Sequence, residues 1–417
     1  MQARRARPVA LAVVVLLVAA VATWLAFRPD AYVAPSRSEP GARSAGGVDA
    51  AAASATLGTL AEALAAGDAD AARAAAPRGD AAAGALLAAV ATNAATLDVV
   101  DLTARYVDEV SPADASGRWQ AAVELGWRFD GFDRETVREE VQVGFASDGA
   151  DVRVTGFGGG DGRTPVWLTG PVEVRRSSQA LVLVAGTDRG DEADTIGVRA
   201  RRAVGVVERV LPQWTGGLVV EVPADEAGVD AALGASPGSY AQIAAVSASV
   251  DGAVTPGTPV HVFVNPEVYD ALDPVGAQVV MSHEATHVAT NAPLTAGVPL
   301  WLLEGFADYV ALRDVDLPLS TTAAQVIAQV RSDGVPAQLP SAAEFDQTAT
   351  HLGAAYESAW LVCRVVAAEA GEDALVGLYE QVSGGAALAD ALRATTGLTE
   401  AQLTTRWQAE LRRLAAG

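Results

Sequence analysis

The sequence predicts an α+β chain, with an apolar N-terminal helix ahead of two folded regions. Three observations predict it. Between about 56 and 160, alanine- and leucine-rich segments with helical spacing give way to long segments that alternate apolar and polar residues. From 178 to 417, short runs of Val, Leu and Ala are followed by a chain that is helical in pattern almost to its end. Within this second region stands His283-Glu284-Ala285-Thr286-His287, which holds two of the four histidines of the chain.

The elements follow in order. Arg4, Arg5 and Arg7 precede an uncharged apolar run from Val9 to Phe27, closed by Arg28-Pro29-Asp30. At helical rise this run nearly spans a bilayer core, and the arginines before it predict a cytoplasmic N-terminus. Residues 1–28 are therefore expected to be a transmembrane signal-anchor, with everything after Arg28 outside the cytoplasm. A cleaved secretory signal ending at Ala20-Val21-Ala22 is the alternative, although Thr23 to Phe27 prolong the run beyond that site. Residues 29–55, rich in Ala, Gly, Pro and Ser, predict a flexible tether.

A small α+β region is expected over 56–160. Helices are predicted from Thr56 to Ala66, on to about Ala76, and from Leu86 to Ala95. Strands are predicted over Leu97–Val110, Arg118–Phe129, Thr136–Phe145 and Asp151–Phe157. Gly156 to Gly162 matches no nucleotide-binding spacing and is expected to be a linker. Beyond it, Leu181–Ala185, Leu218–Val222 and Val260–Val264 predict strands, and Asp194–Leu211 a helix stopped by Pro212. Asp273-Pro274 is an N-cap with proline at the first helical position, opening a helix that Asn291, Pro293 and Gly297 end. Val298-Pro299 opens the next helix, to about Leu312, and further helices are predicted over Ala354–Ala370 and Glu400–Leu414.

Positions i and i+4 share one helix face, so His283 and His287 can point at one ion, with Glu284 beside them. Glu304 follows His287 by seventeen positions, in Trp301-Leu302-Leu303-Glu304-Gly305-Phe306-Ala307-Asp308-Tyr309. Trp301, Leu302, Phe306, Tyr309 and Val310 would bury against the first helix and turn Glu304 inward. Two imidazoles and one carboxylate leave a coordination position of Zn²⁺ open, as catalytic sites do. Asp308, one turn after Glu304, is expected to accept the free ring N–H of His283. The plain alternatives are a chance HExxH on an alanine-rich helix and a solvated Asp308.

His283-Glu284-x-x-His287 with Glu304-Gly305-Phe306-Ala307-Asp308 resembles the gluzincin metallopeptidases. It is most similar to the group called peptidase MA-like, which is related to the catalytic domain of M1 aminopeptidases. The resemblance covers about residues 180–417. Its sixteen-residue gap between His287 and Glu304 is shorter than the eighteen or nineteen of well-known gluzincins, and no aminopeptidase signature precedes the helix. The resemblance implies Zn²⁺ held by His283, His287 and Glu304, Glu284 as general base, and a peptide or protein substrate. It also implies a sheet whose edge strand binds that substrate, for which Val260-His261-Val262-Phe263-Val264 is the candidate. His261 is more simply a structural histidine. A tyrosine that stabilises the oxyanion is implied at Tyr356, with His351 as a rival and a core tyrosine as the plain alternative. The helix-then-meander order of 56–160 resembles the NTF2-like or cystatin-like cone.

Composition limits the partners. A net charge of -22 repels phosphate backbones and argues against nucleic acid. All 29 basic residues are arginine. Cys363 stands alone, so neither an intrachain disulfide nor a cysteine zinc site is available. The function expected is a membrane-anchored, extracytoplasmic zinc peptidase. The alternative is an extracytoplasmic binding or scaffold protein with an inactive peptidase-like domain.

Overall fold

Three aspartates start the first three helices. The computed structural model describes residues 48–149, 151–346 and 349–417. The expected anchor and most of the expected tether lie outside them. Asp49, Asp68 and Asp80 each accept backbone N–H groups through the side chain and begin α1 (Ala50–Ala65), α2 (Ala69–Ala74) and α3 (Ala81–Thr96). The Asp49 cap sets the start of α1 earlier than the expected Thr56. Among the described residues, no helix is long and apolar enough to cross a membrane.

An antiparallel meander follows: β1 (Val99–Ser111), β2 (Arg118–Phe129), β3 (Val137–Asp148) and β4 (Asp151–Phe157), in that spatial order. Side chains alternate across a strand, so Trp119, Val123, Trp127 and Phe129 of β2 reach one face and bury there. Leu57, Leu60, Leu87 and Val90 of α1 and α3 belong to the same core.

The second sheet is mixed. Its strands are β5 (Val172–Arg176), β6 (Ala180–Ala185), β7 (Leu218–Val222), β8 (Ala245–Ser249) and β9 (Val260–Val264), in the order β5-β6-β7-β9-β8. The pairs β6–β7 and β7–β9 are parallel, and β5 and β8 pair antiparallel at the two edges. Strands β6 to β9 are buried along their whole length, as strands covered on both faces are. Val182, Val220 and Val262 point to one face, with α4 (Gly190–Glu208) and the C-terminal helices. Leu181, Leu183, Val219 and Phe263 point to the other and join the core of α1–α3 and the meander. The second sheet is thus a wall shared by two cores. Strand β9 is an interior strand, so the edge position expected for Val260–Val264 belongs to β8. The sequence Ala-Val-Ser-Ala-Ser of β8 is as long as β7 and β9, but with Ala or Ser at all positions except Val246 it does not stand out as a strand.

The rest is helical: α5 (Glu226–Leu233), α6 (Pro274–Thr290), α7 (Leu300–Leu312), α8 (Ala324–Asp333), α9 (Leu352–Ala370), α10 (Glu372–Ser383), α11 (Leu388–Thr396) and α12 (Glu400–Ala416), with single turns at Pro266–Tyr269 and Leu319–Thr322.

Buried charge ties the meander to the wall. His261 on β9 is 1% exposed and stacks on Phe129. Its Nε2 lies 2.9 Å from Asp133 Oδ1, beyond the end of β2, and its Nδ1 lies 2.7 Å from Glu221 Oε1 on β7. With a carboxylate on each ring nitrogen, both nitrogens donate and the ring is an imidazolium. Burial alone would push its pKa down, but Asp133 and Glu221 outweigh it and hold it up at about 9. Nearby, Arg163 Nε lies 3.7 Å from Glu139 Oε1 of β3, and burial lifts that carboxyl to about 8.

Because the folded pKa of His261 is raised, its stabilisation is complete below the ordinary value of about 6.5 and disappears as pH rises through about 9. Urea unfolding is expected to show a midpoint that falls across this alkaline window. Asp133→Ala should cost about 3–5 kcal/mol near neutral pH and flatten the decline. Parallel pH curves for parent and variant would contradict the assignment.

Candidate metal centre

Asp273 accepts the N–H groups of Val275 and Gly276, and Pro274 fills the first position of α6. The helix ends at Asn291, whose φ of 51° is the left-handed cap that asparagine tolerates. Between these ends, Met281 to His287 are all buried, so the HExxH segment is an interior helix.

Helix α7 brings the third group. A Cβ on Gly305 would lie 2.4 Å from the carbonyl oxygen of Ala359 on α9. Only glycine permits this approach, and the approach sets the depth of Glu304, its neighbour. Cys363 Sγ faces the same spot at 3.0 Å, and burial raises its thiol pKa well above the usual range.

His283 Nε2 and His287 Nε2 lie 2.9 Å apart. Glu304 Oε2 lies 3.3 Å from the first and 3.4 Å from the second. Ligands about 2.0–2.1 Å from one tetrahedral ion would stand about 3.3 Å from each other, so the triangle has the right size for a shared cation. Glu304 is 0% exposed, and neither of its oxygens receives a hydrogen bond. A buried carboxylate left in this state requires a positive charge beside it. The three groups form a buried cluster that can hold a metal ion.

Asp308 Oδ1 lies 2.8 Å from His283 Nδ1. With Nδ1–H donating there, the Nε2 lone pair points at the cluster. Burial pushes the Asp308 and Glu284 carboxyls up. Glu284, next to the triad and 1% exposed, meets a group that sequence reasoning missed. Ser247 Oγ on β8 lies 2.7 Å from Glu284 Oε2 and 3.0 Å from the Glu284 backbone oxygen.

The remaining sequence candidates belong to α9 and the residue that precedes it. Tyr356 is buried in α9 with its ring edge-on to Phe345 at 5.3 Å. His351 stands exposed at the start of α9, 3.9 Å from Asp333, and does not join the buried cluster. Tyr379 on α10, which no sequence feature marks, stacks on Phe306 at 4.5 Å and donates to Thr290 Oγ1 at 3.2 Å. In comparisons with known proteins, no family matches this chain, and no curated protein matches it either.

The geometry leads to two expectations. In protein stripped by chelator, a divalent cation that fits the cluster, supplied at 100- to 1000-fold above its Kd, should raise stability by about 3–4 kcal/mol, and Glu304→Ala should abolish most of that gain; thermal unfolding with and without metal reads both. Gly305→Ala should cost about 1–3 kcal/mol, because the added methyl meets backbone that cannot move alone; a urea midpoint equal to that of the parent would contradict the close packing of α7 on α9.

Proposed function

We propose that this chain is a zinc-dependent peptidase of the gluzincin type. The observation that supports it best is the convergence of His283 Nε2, His287 Nε2 and a Glu304 carboxylate that no protein group hydrogen-bonds, with Glu284 adjacent. Two imidazole nitrogens and one carboxylate oxygen are a donor set suited to zinc. Zinc bound there would supply Lewis acidity, activating water and polarising the scissile carbonyl.

The residues of the chain would do the rest. Glu284 takes a proton from the attacking water at its carboxylate and returns it to the nitrogen of the departing amine. A C–O bond forms, the C–N bond breaks, and the products are a carboxylic acid and an amine. Asp308 keeps the His283 tautomer that leaves Nε2 free. Tyr356 is proposed as the hydroxyl that donates to the developing oxyanion. The order of α1–α3 and the meander fits an NTF2-like or cystatin-like unit between an anchor and the peptidase domain. The Arg4-Arg5-Arg7 cluster before Val9–Phe27 supports a membrane-anchored protein with this domain outside the cytoplasm.

One observation favours a second reading. His283, Glu284, His287 and Glu304 are each at most 3% exposed. An ion so enclosed could serve as a rivet between α6 and α7 in a binding or scaffold protein.

Metal analysis and hydrolysis of labelled casein, with and without chelator, separate the two. The peptidase reading expects about one zinc per chain, chelator-sensitive hydrolysis, and a loss of at least about 100-fold in Glu284→Gln with zinc retained. A Glu284→Gln protein that cleaves as fast as the parent would sink the assignment. Zinc that stabilises the fold without any hydrolysis would favour the rivet.

A further inference from the structure

The base in this reading is held by a strand rather than by its own helix. We propose that Ser247 is the positioning residue of Glu284, fixing its carboxylate from the edge strand β8. The inference rests on Glu284 being the base.

Glutamate has three rotatable side-chain bonds, and its place next to His283 in sequence does not aim its oxygens. In a buried site that aim has to come from a donor. Ser247 provides one: it is 5% exposed, and its hydroxyl lies 2.7 Å from Glu284 Oε2. The hydroxyl has a single proton and two acceptors in reach, the carboxylate and the Glu284 backbone oxygen at 3.0 Å. A charged acceptor makes the shorter and stronger bond, so the proton goes to Oε2. Anchoring Oε2 leaves Oε1 as the oxygen that exchanges a proton with water.

The anchor is itself held by strand pairing. Ser247 is the middle residue of β8, and β8 pairs with β9 along its whole length, Ser247 opposite Val262. Side-chain alternation turns Ala245 and Ser247 toward α6, and Val246 and Ala248 toward the other core. Any shift of β8 along or across the sheet is therefore passed directly to the carboxylate.

Two measurements test this. In metal-free protein, Ser247→Ala should lower the thermal midpoint by roughly 3 °C, and by less than half as much in a Glu284→Ala background. Equal losses in both backgrounds would show that the hydroxyl serves the backbone oxygen, and would overturn the proposal. In zinc-loaded protein, Ser247→Ala should lower kcat on labelled casein about ten-fold, with KM and zinc content unchanged, and Ser247→Thr should restore most of it. A Ser247→Ala enzyme with the parent's kcat would also overturn it. If the parent itself leaves casein intact, the peptidase reading fails, and the midpoint comparison alone decides whether Ser247 holds the carboxylate.

Discussion

A carboxylate buried to zero exposure with no hydrogen-bond donor governs this structure. Glu304 cannot stay ionised in such a place without positive charge, and the two imidazole nitrogens beside it are close enough to share an ion with it. Meeting that requirement dictates much of the surrounding architecture. Helix α6 has to run through the interior so that both histidines face inward. Helix α7 has to come close, and Gly305 allows it to lie on the backbone of α9. Asp308 has to sit one turn beyond Glu304 to hold His283 in one tautomer.

Much of this was legible in the sequence because it is local. The i, i+4 histidines, the Asp273-Pro274 start of α6 and the one-turn offset of Asp308 from Glu304 are all helix periodicities, which survive without knowledge of the rest of the fold. The meander was legible for the same reason, since its strands are long and alternate. What escaped was non-local. Strand β8 carries Ala or Ser at every position but Val246, and its identity as a strand comes from pairing with β9 and packing under α6. Ser247 reaches Glu284 from 37 positions away, and Asp133 reaches His261 across 128. No spacing rule connects such pairs. Val260–Val264 misled for the opposite reason: its short, mostly apolar run marks a strand but says nothing about which strand stands at the edge.

The two unexpected contacts are related through the sheet. His261 and Ser247 lie on neighbouring strands, His261 opposite Ala248 and Ser247 opposite Val262. They point to opposite faces. One face holds the imidazolium between Asp133 and Glu221, and the other holds the hydroxyl beside Glu284. Arg163 reaches the carbonyls of Ser249 and Val250 at the end of β8, each at 3.4 Å, from the side of the meander. The edge of the sheet that touches the centre is thus fastened from behind, β9 through Asp133 of the first unit and the end of β8 through Arg163.

The shared wall has a consequence for how the chain can be divided. A fragment that begins at residue 178 would keep every residue of the metal cluster, yet it would leave Leu181, Leu183, Val219 and Phe263 facing water. Such an oily surface invites aggregation. The first unit is therefore more than a spacer: it is the lining of its neighbour, and a soluble recombinant fragment would have to begin no later than the Asp49 cap.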